Sequence, residues 1–184
     1  MATAILLGAV GVVLGRDLFS PTQPKPPAPA AANAFARFRD APGGFSISYP
    51  ARWRRVPPGN PDVRLLAEGE GSSMLVRRAD IGIQVGPESI GTARKLTDKL
   101  VRAVGRVKLL RPPTRVTLGG LAGYLYLYTF PVGTTGQQAA HAHYFLFRGQ
   151  TLIAIVFQTQ PAERLARLAP LFDRLGETLR VTPG

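Results

Sequence analysis

Apolar and polar residues alternate in short runs after residue 44, and this pattern predicts β-strands. The run Phe45–Tyr49 (FSISY) alternates in this way and stops at a proline. Shorter strands are predicted at Val63–Ala67 and Met74–Arg77, with Gly69–Ser73 as the loop of a hairpin between them. The first part of the chain's folded region is therefore expected to form antiparallel strands.

The stretch from Val116 to Gln160 contains a single charged residue, Arg148. Along Leu152–Gln158 both alternating sets of side chains are mostly apolar, which is typical of a central strand that is buried on both faces. The predicted strands are Arg115–Leu118, Gly123–Phe130, Ala140–Phe147 and Thr151–Thr159, with a tight turn at Arg148–Gln150. Because their connections are short, neighbouring strands should run antiparallel.

Two amphipathic helices are predicted among these strands. The first follows Pro87, ends near Gly105 and has an apolar stripe formed by Ile90, Ala93, Leu96, Leu100 and Val104. The second begins at Pro161, and its stripe consists of Leu165, Leu168, Leu171, Phe172, Leu175 and Leu179. Helices separated by strands can cover opposite faces of one sheet. The expected fold is an α+β protein, an α/β/α sandwich with a central antiparallel sheet flanked by helices.

The amino-terminal segment Ala2–Gly15 is continuously apolar, and a Pro/Ala-rich stretch, Ser20–Ala34, follows it. A bilayer span needs about 20 helical residues, so this segment is short. It also lacks the basic start of a signal peptide. Three explanations remain open: an uncleaved anchor, a signal with an atypical start, or a chain start that lies inside a longer segment. We favour the anchor. The predicted organisation is an anchor or signal-like segment at 1–19, a linker at 20–39 and a domain at 40–184.

The prolines of the linker predict an extended chain, and fifteen such residues would span roughly 45 Å. Tethers of this kind are common between bacterial anchors and domains that work in the envelope, which favours an extracytoplasmic domain at the cell membrane. Arg16 and Lys25 follow the apolar segment, so a positive-inside count favours the cytoplasm instead. Orientation therefore stays open, with the extracytoplasmic side preferred.

The chain carries 23 Lys and Arg against 11 Asp and Glu, a net charge of +12. Nineteen of the basic residues are Arg, a bias that a GC-rich genome also produces. An anionic lipid surface or an acidic protein would be attracted to such a chain, whereas the aromatic platforms that bind nucleic acid are missing. The candidate anion- or partner-binding residues, in a stretch opposed only by Asp98, are Arg94, Lys95, Lys99, Arg102, Arg106 and Lys108.

Two aromatic sets lie on alternate positions of the predicted strands. Tyr124, Tyr126 and Tyr128 would share one face, where they could line a groove for a ligand or belong to the core. His141 and His143 would also share a face, but a metal site needs further ligands and none is predicted nearby. A structural histidine pair is favoured, and no metal or other cofactor is predicted.

Catalytic patterns are missing from the sequence. The chain has no cysteine, no paired carboxylates, no distinctive Ser/His/Asp spacing and no phosphate-binding loop. We therefore predict that the protein is not an enzyme.

Three segments resemble the PsbP-like superfamily, which includes actinobacterial envelope proteins of the LpqN type. They are FSISYPARW (Phe45–Trp53), TLGGLAGYLYLY (Thr117–Tyr128) and RGQTLIAIVFQTQ (Arg148–Gln160). The resemblance implies a non-enzymatic, partner-binding domain. No cysteine follows the apolar segment, so the lipid attachment of the lipoprotein members is not possible and the peptide itself would be the anchor.

The resulting functional hypothesis is a membrane-anchored, extracytoplasmic accessory domain that binds a protein partner or an anionic envelope surface. The alternative is a carrier of a small molecule or lipid, which would use a cleft between sheet and helix. Exposed tyrosines at positions 124, 126 and 128 would favour the carrier, and a filled interior beside a basic face would favour the accessory domain.

Overall fold

The computed structural model describes residues 34–134 and 136–182. These ranges contain ten strands and two helices: β1 Phe35–Asp40, β2 Phe45–Pro50, β3 Arg54–Arg55, β4 Val63–Gly69, β5 Ser72–Val85, α1 Ile90–Arg102, β6 Lys108–Leu109, β7 Thr114–Leu118, β8 Leu121–Val132, β9 Gln137–Thr159, α2 Arg164–Glu177 and β10 Arg180–Val181. The predicted anchor at 1–19 lies outside the described residues. Neither helix of these ranges is long and apolar enough to span a membrane.

The boundary between linker and domain is earlier than predicted. Residues 35–39, which were assigned to the linker, belong to β1, and β1 pairs antiparallel with β2. The side chains of β1 alternate between exposed and covered, with Phe38 packed against the core and Asp40 buried. The predicted linker therefore ends before Phe35.

The larger sheet is antiparallel and has the order β3-β4-β5-β9-β8-β6, with β7 also paired to β8. Strand β5 pairs with the later part of β9, from Ser72 opposite Thr159 to Asp80 opposite Thr151. Strand β8 pairs with the earlier part, from Gly123 opposite Leu146 onward. The two halves of the sheet are thus joined through β9.

The 23 residues of β9 form a hairpin. A straight strand of that length would hold its two ends about 75 Å apart. Its ends instead meet: Gln160 Nε2 lies 2.7 Å from Gln137 Oε1, and the Ala162 amide donates to the Gln138 carbonyl at 2.9 Å. The chain folds back at Gly149, whose φ of +58° suits glycine. This agrees with the predicted turn at Arg148–Gln150.

The two faces of the larger sheet are covered differently. Helix α1 packs on one face against a cluster that includes Tyr126 and Ala154. Helix α2 packs on the other face with Ile155, and a three-stranded sheet of order β1-β2-β10 shares that side. The fold is therefore mostly antiparallel sheet with two helices, and the predicted α/β/α sandwich describes it in part.

The second arm of β9 is buried on both faces, as its sequence predicted. Leu152 and Ala154 belong to the cluster under α1. Ile153, Ile155 and Phe157 belong to the cluster under α2 and the small sheet. The prediction of a central strand covered on both sides is confirmed.

Candidate functional site: two basic surfaces

Helix α1 determines which of the predicted basic residues are exposed. It buries Ile90, Ala93, Thr97 and Val101, so the opposite flank of the helix faces solvent. After the helix, Gly105 and Arg106 both have positive φ and turn the chain toward β6 at the edge of the sheet. Five of the six predicted residues are exposed along this continuous stretch: Lys95, Lys99, Arg102, Arg106 and Lys108.

Arg94 differs from the other five predicted residues. Its Nε donates to Asp98 Oδ1 at 3.0 Å, and its guanidinium carbon lies 5.6 and 5.8 Å from the ring centres of Tyr124 and Tyr126. The hydrogen bond to Asp98 raises the pKa of Arg94, although burial opposes this. Arg94 therefore holds α1 on the sheet and is not a free cation for a partner.

The three tyrosines lie under α1 and are 5%, 1% and 0% exposed at positions 124, 126 and 128. The Tyr126 hydroxyl donates to Asp98 Oδ1 at 2.7 Å and lies 2.7 Å from Thr97 Oγ1. Burial raises the pKa of Tyr126 to about 12, so the hydroxyl stays protonated. The predicted tyrosine groove is not open, because α1 fills it.

His141 and His143 both contact Tyr128. Their Nδ1 atoms lie 2.8 and 3.1 Å from the Tyr128 hydroxyl, and His141 Nε2 lies 2.9 Å from Gln158 Oε1. Burial lowers the pKa of His141 to about 4 and also lowers the pKa of His143 well below its ordinary value. The described residues contain no group of three or more potential ligands that could hold a metal ion. The pair acts here as a neutral structural network.

Exposed aliphatic residues accompany the basic stretch, and they are not among the residues predicted for this site. Val104, Leu109 and Leu110 are 38%, 46% and 51% exposed. Val104 was predicted to belong to the buried stripe of α1, but the helix ends at Arg102 and leaves it in solvent. We call the exposed residues of this stretch the basic edge, and its members are Lys95, Lys99, Arg102, Val104, Arg106, Lys108, Leu109, Leu110 and Arg111.

A second basic surface lies between the two sheets, in a cleft of about 960 Å³. The arginines that line it, which define the arginine cleft, are Arg37, Arg39, Arg78, Arg148 and Arg180. It opens on the α2 side of the larger sheet, since Arg78 pairs in register with Ile153, which packs in the cluster of α2. One residue of the cleft stands out in the sequence, because Arg148 is the single charged residue of a long apolar stretch.

No family model matches this chain, and no curated protein matches it. Several solved structures do. Cyanobacterial PsbP (CyanoP) from Synechocystis sp. PCC 6803 is 18% identical, with 86% of this chain and 98% of that chain covered and a TM-score of 0.64. LpqN, involved in cell envelope biogenesis of Mycobacterium tuberculosis, is 13% identical, with coverages of 82% and 93% and a TM-score of 0.51.

The Ran-binding protein Mog1p of Saccharomyces cerevisiae is also similar, at 11% identity, with coverages of 80% and 95% and a TM-score of 0.51. The chain shares its fold with CyanoP and LpqN, as the resemblance of the sequence segments predicted. At these identities the likeness extends to the fold and does not identify the residues of a site.

Proposed function

We propose that this protein is a non-catalytic accessory domain, held outside the cytoplasm by its amino-terminal anchor, that docks on an anionic membrane surface through the basic edge. The observation that carries this proposal is the exposure of Leu109 and Leu110 among Arg106, Lys108 and Arg111. Basic and aliphatic side chains are interleaved there on one exposed stretch.

This combination of side chains suits a membrane surface, which has a charged head-group region above an apolar acyl-chain region. Lys and Arg close to an anionic bilayer contribute about 1 kcal/mol each, and the attraction weakens as salt rises. Aliphatic side chains contribute by leaving water for the boundary between head groups and acyl chains. Leu109 and Leu110 are therefore expected to enter the interface while the neighbouring cations remain at the head groups.

The predicted anchor and linker favour the same event. An anchored domain meets the membrane at a high effective concentration, so that a weak surface contact is sufficient for docking. A linker of roughly 45 Å allows the basic edge to reach the bilayer and to leave it. These segments support the proposal through their sequence alone.

The neighbours in fold support a binding role in two ways. LpqN is described as involved in cell envelope biogenesis, and Mog1p is described as a Ran-binding protein. Both descriptions favour a role in assembly or recognition at this fold, and LpqN favours the envelope. The carrier hypothesis has less support, because the three tyrosines that would line its cleft are buried under α1.

The experiment measures co-sedimentation of residues 34–184 with vesicles across a salt series. This fragment keeps both hydrophobic clusters that the structure describes, whose residues lie between positions 38 and 181. Vesicles of phosphatidylcholine alone are compared with vesicles that also contain phosphatidylglycerol. The fragment should bind the anionic vesicles at low salt and be released as salt rises.

Three variants assign that binding to the basic edge. Lys99→Glu/Lys108→Glu should weaken it at least about tenfold, because two attractive charges become repulsive. Leu109→Ser/Leu110→Ser should weaken it at every salt concentration. Arg167→Glu/Arg174→Glu makes the same charge change at exposed positions of α2 and should leave binding nearly unchanged.

Equal binding to neutral and anionic vesicles, or equal losses for both charge-reversal variants, would contradict this assignment. Failure to bind vesicles, together with capture of an acidic envelope protein that Lys99→Glu/Lys108→Glu abolishes, would show that the basic edge serves a protein partner instead.

A further inference from the structure

We propose that the arginine cleft is a second binding site, for a small ligand or head group that carries more than one phosphate. It lies on the face of the larger sheet opposite α1, so its occupancy is separate from docking through the basic edge.

The walls of the cleft are held by close contacts around the turn between β1 and β2. A Cβ atom on Gly43 would lie 2.1 Å from Asp40 Oδ2, so a larger residue there would force the buried Asp40 side chain to move. Gly44 has a φ of +67°, and its carbonyl accepts a hydrogen bond from the Thr182 amide at 2.8 Å. Arg148 Nη1 approaches the same glycine, with 3.4 Å to the position of a Cβ. The turn, the end of β10 and β9 therefore form a preformed wall.

The charge of the cleft is strongly positive. Five arginines line it, and the one carboxylate in the lining, Asp40, is 3.5 Å from Arg64 Nε, which lies outside the lining. Within residues 34–134 and 136–182, none of the five lining arginines forms an ion pair. A concave surface with charge of one sign concentrates ions of the opposite sign.

Several of the guanidinium groups are already oriented. Arg37 donates to Ser46 Oγ from Nη2 at 2.9 Å, and Arg180 Nη1 donates to the carbonyls of Glu177 and Leu179 at 2.7 and 2.8 Å. Arg78 Nε is buried and has no acceptor among the described residues. Oriented donors lose less entropy on binding, so the positions of Arg37 and Arg180 favour capture of an anion.

The number of donors and the volume favour a ligand with several phosphates. A guanidinium offers a fork of N–H groups that matches phosphate or carboxylate oxygens in pairs. Five such groups exceed what one carboxylate can accept, whereas a phosphate monoester presents three oxygens and a charge near −2. A volume of about 960 Å³ corresponds to a whole small ligand and far exceeds a single phosphate.

The test uses the full chain in detergent and isothermal titration with inorganic tripolyphosphate, with citrate as a tricarboxylate comparison. Arg148→Gln and Arg39→Gln should each weaken tripolyphosphate binding at least tenfold. Arg167→Gln removes the same charge from an exposed position of α2 and should bind as the wild type does. Arg39 is exposed, so Arg39→Gln should change the stability of the fold little, and its loss of binding reports on the cleft.

Thermal unfolding gives an independent readout. Crowded like charges oppose folding, so Arg148→Gln without ligand should melt at or above the temperature of the wild type. Tripolyphosphate should raise the melting temperature of the wild type and should not raise that of Arg148→Gln. A Lys99→Glu/Lys108→Glu variant should retain tripolyphosphate binding, which separates this proposal from docking through the basic edge.

The source of the phosphates is distinguished by vesicles of phosphatidylcholine doped with a phosphoinositide. Binding that Arg39→Gln removes would show that the cleft accepts a lipid head group, and binding of tripolyphosphate alone would point to a soluble ligand. Wild-type affinity in both cleft variants, equal affinity for citrate and tripolyphosphate, or no binding of either phosphate source would overturn the proposal.

Discussion

Removing the hydroxyl of Tyr126 should weaken the attachment of α1 to the sheet. This hydroxyl donates to Asp98 Oδ1 at 2.7 Å and also meets Thr97 Oγ1 at 2.7 Å, and both partners lie on α1. Tyr126→Phe keeps the ring, which packs edge-on against Phe145 with 5.5 Å between the ring centres. The substitution therefore isolates the polar contribution of one atom.

The expected loss follows from the kind of hydrogen bond that is removed. A bond to a charged acceptor contributes about 1.5–3 kcal/mol. Because 29% of the Asp98 side chain is exposed, water can replace part of it, so we expect a loss of about 1–3 kcal/mol. For a domain of this size that corresponds to a fall in melting temperature of roughly 2–12 °C.

The loss should also depend on pH. Burial opposes ionisation of Asp98, but the hydrogen bonds from Tyr126 and Arg94 outweigh it and lower the pKa of Asp98. A lowered folded-state pKa stabilises the protein above the unfolded value of about 3.9, and this stabilisation disappears as the pH falls through the folded pKa. The difference between wild type and Tyr126→Phe should therefore be largest at neutral pH and shrink below about pH 4.

Urea denaturation of residues 34–184 at neutral and acidic pH measures both effects. Tyr49→Phe is the control, since the described residues offer the Tyr49 hydroxyl no hydrogen bond and its ring is partly buried against the core. Equal losses for the two tyrosines, or a loss at position 126 that does not change with pH, would refute the placement of Tyr126 beneath α1.

Two further predictions concern the core and the anchor. Ile155→Ala removes a fully buried side chain and should lower the free energy of unfolding by about 2–5 kcal/mol. Arg102→Ala, on the exposed flank of α1, should lower it by less than about 0.5 kcal/mol. Similar shifts in melting temperature for the two variants would contradict the burial of β9. The full chain should sediment with membranes and should stay there during a salt wash. Deletion of residues 1–33 should yield a soluble folded domain. Recovery of full-length protein of native mass in the soluble fraction would exclude the anchor.

Local periodicity explains which elements could be predicted from the sequence. Strand β2 and both helices follow patterns contained within one segment, and the burial of Leu152–Phe157 on two faces follows from its unbroken apolar run. Strand β1 was missed although Phe35–Asp40 alternates, because it directly follows a Pro/Ala-rich stretch and was assigned to the linker by composition.

The residues of the two basic surfaces were harder to predict from the sequence than the strands and helices. The arginine cleft as a whole could not be predicted, because Arg78 and Arg148 belong to the larger sheet and Arg180 to the smaller one, and they meet only where the two sheets pack together. The shared face of the tyrosines was predictable, but their burial depends on where α1 packs. Exposure of Leu109 and Leu110 had a local signal, since a short apolar pair between charges and before two prolines cannot form an amphipathic element.

The hairpin formed by β9 also has a kinetic consequence. Within the described chain, β5 pairs with residues 149–159 of β9, and β8 pairs with residues 137–146. The β5 half and the β8 half of the larger sheet therefore come together only when these two arms of β9 pair with each other. Hairpins form in microseconds, far faster than pairings between distant segments. We therefore expect the β9 hairpin to form first and β5 and β8 to pair with its two arms afterwards. A slower formation of the turn at Gly149 would then slow the assembly of the entire sheet.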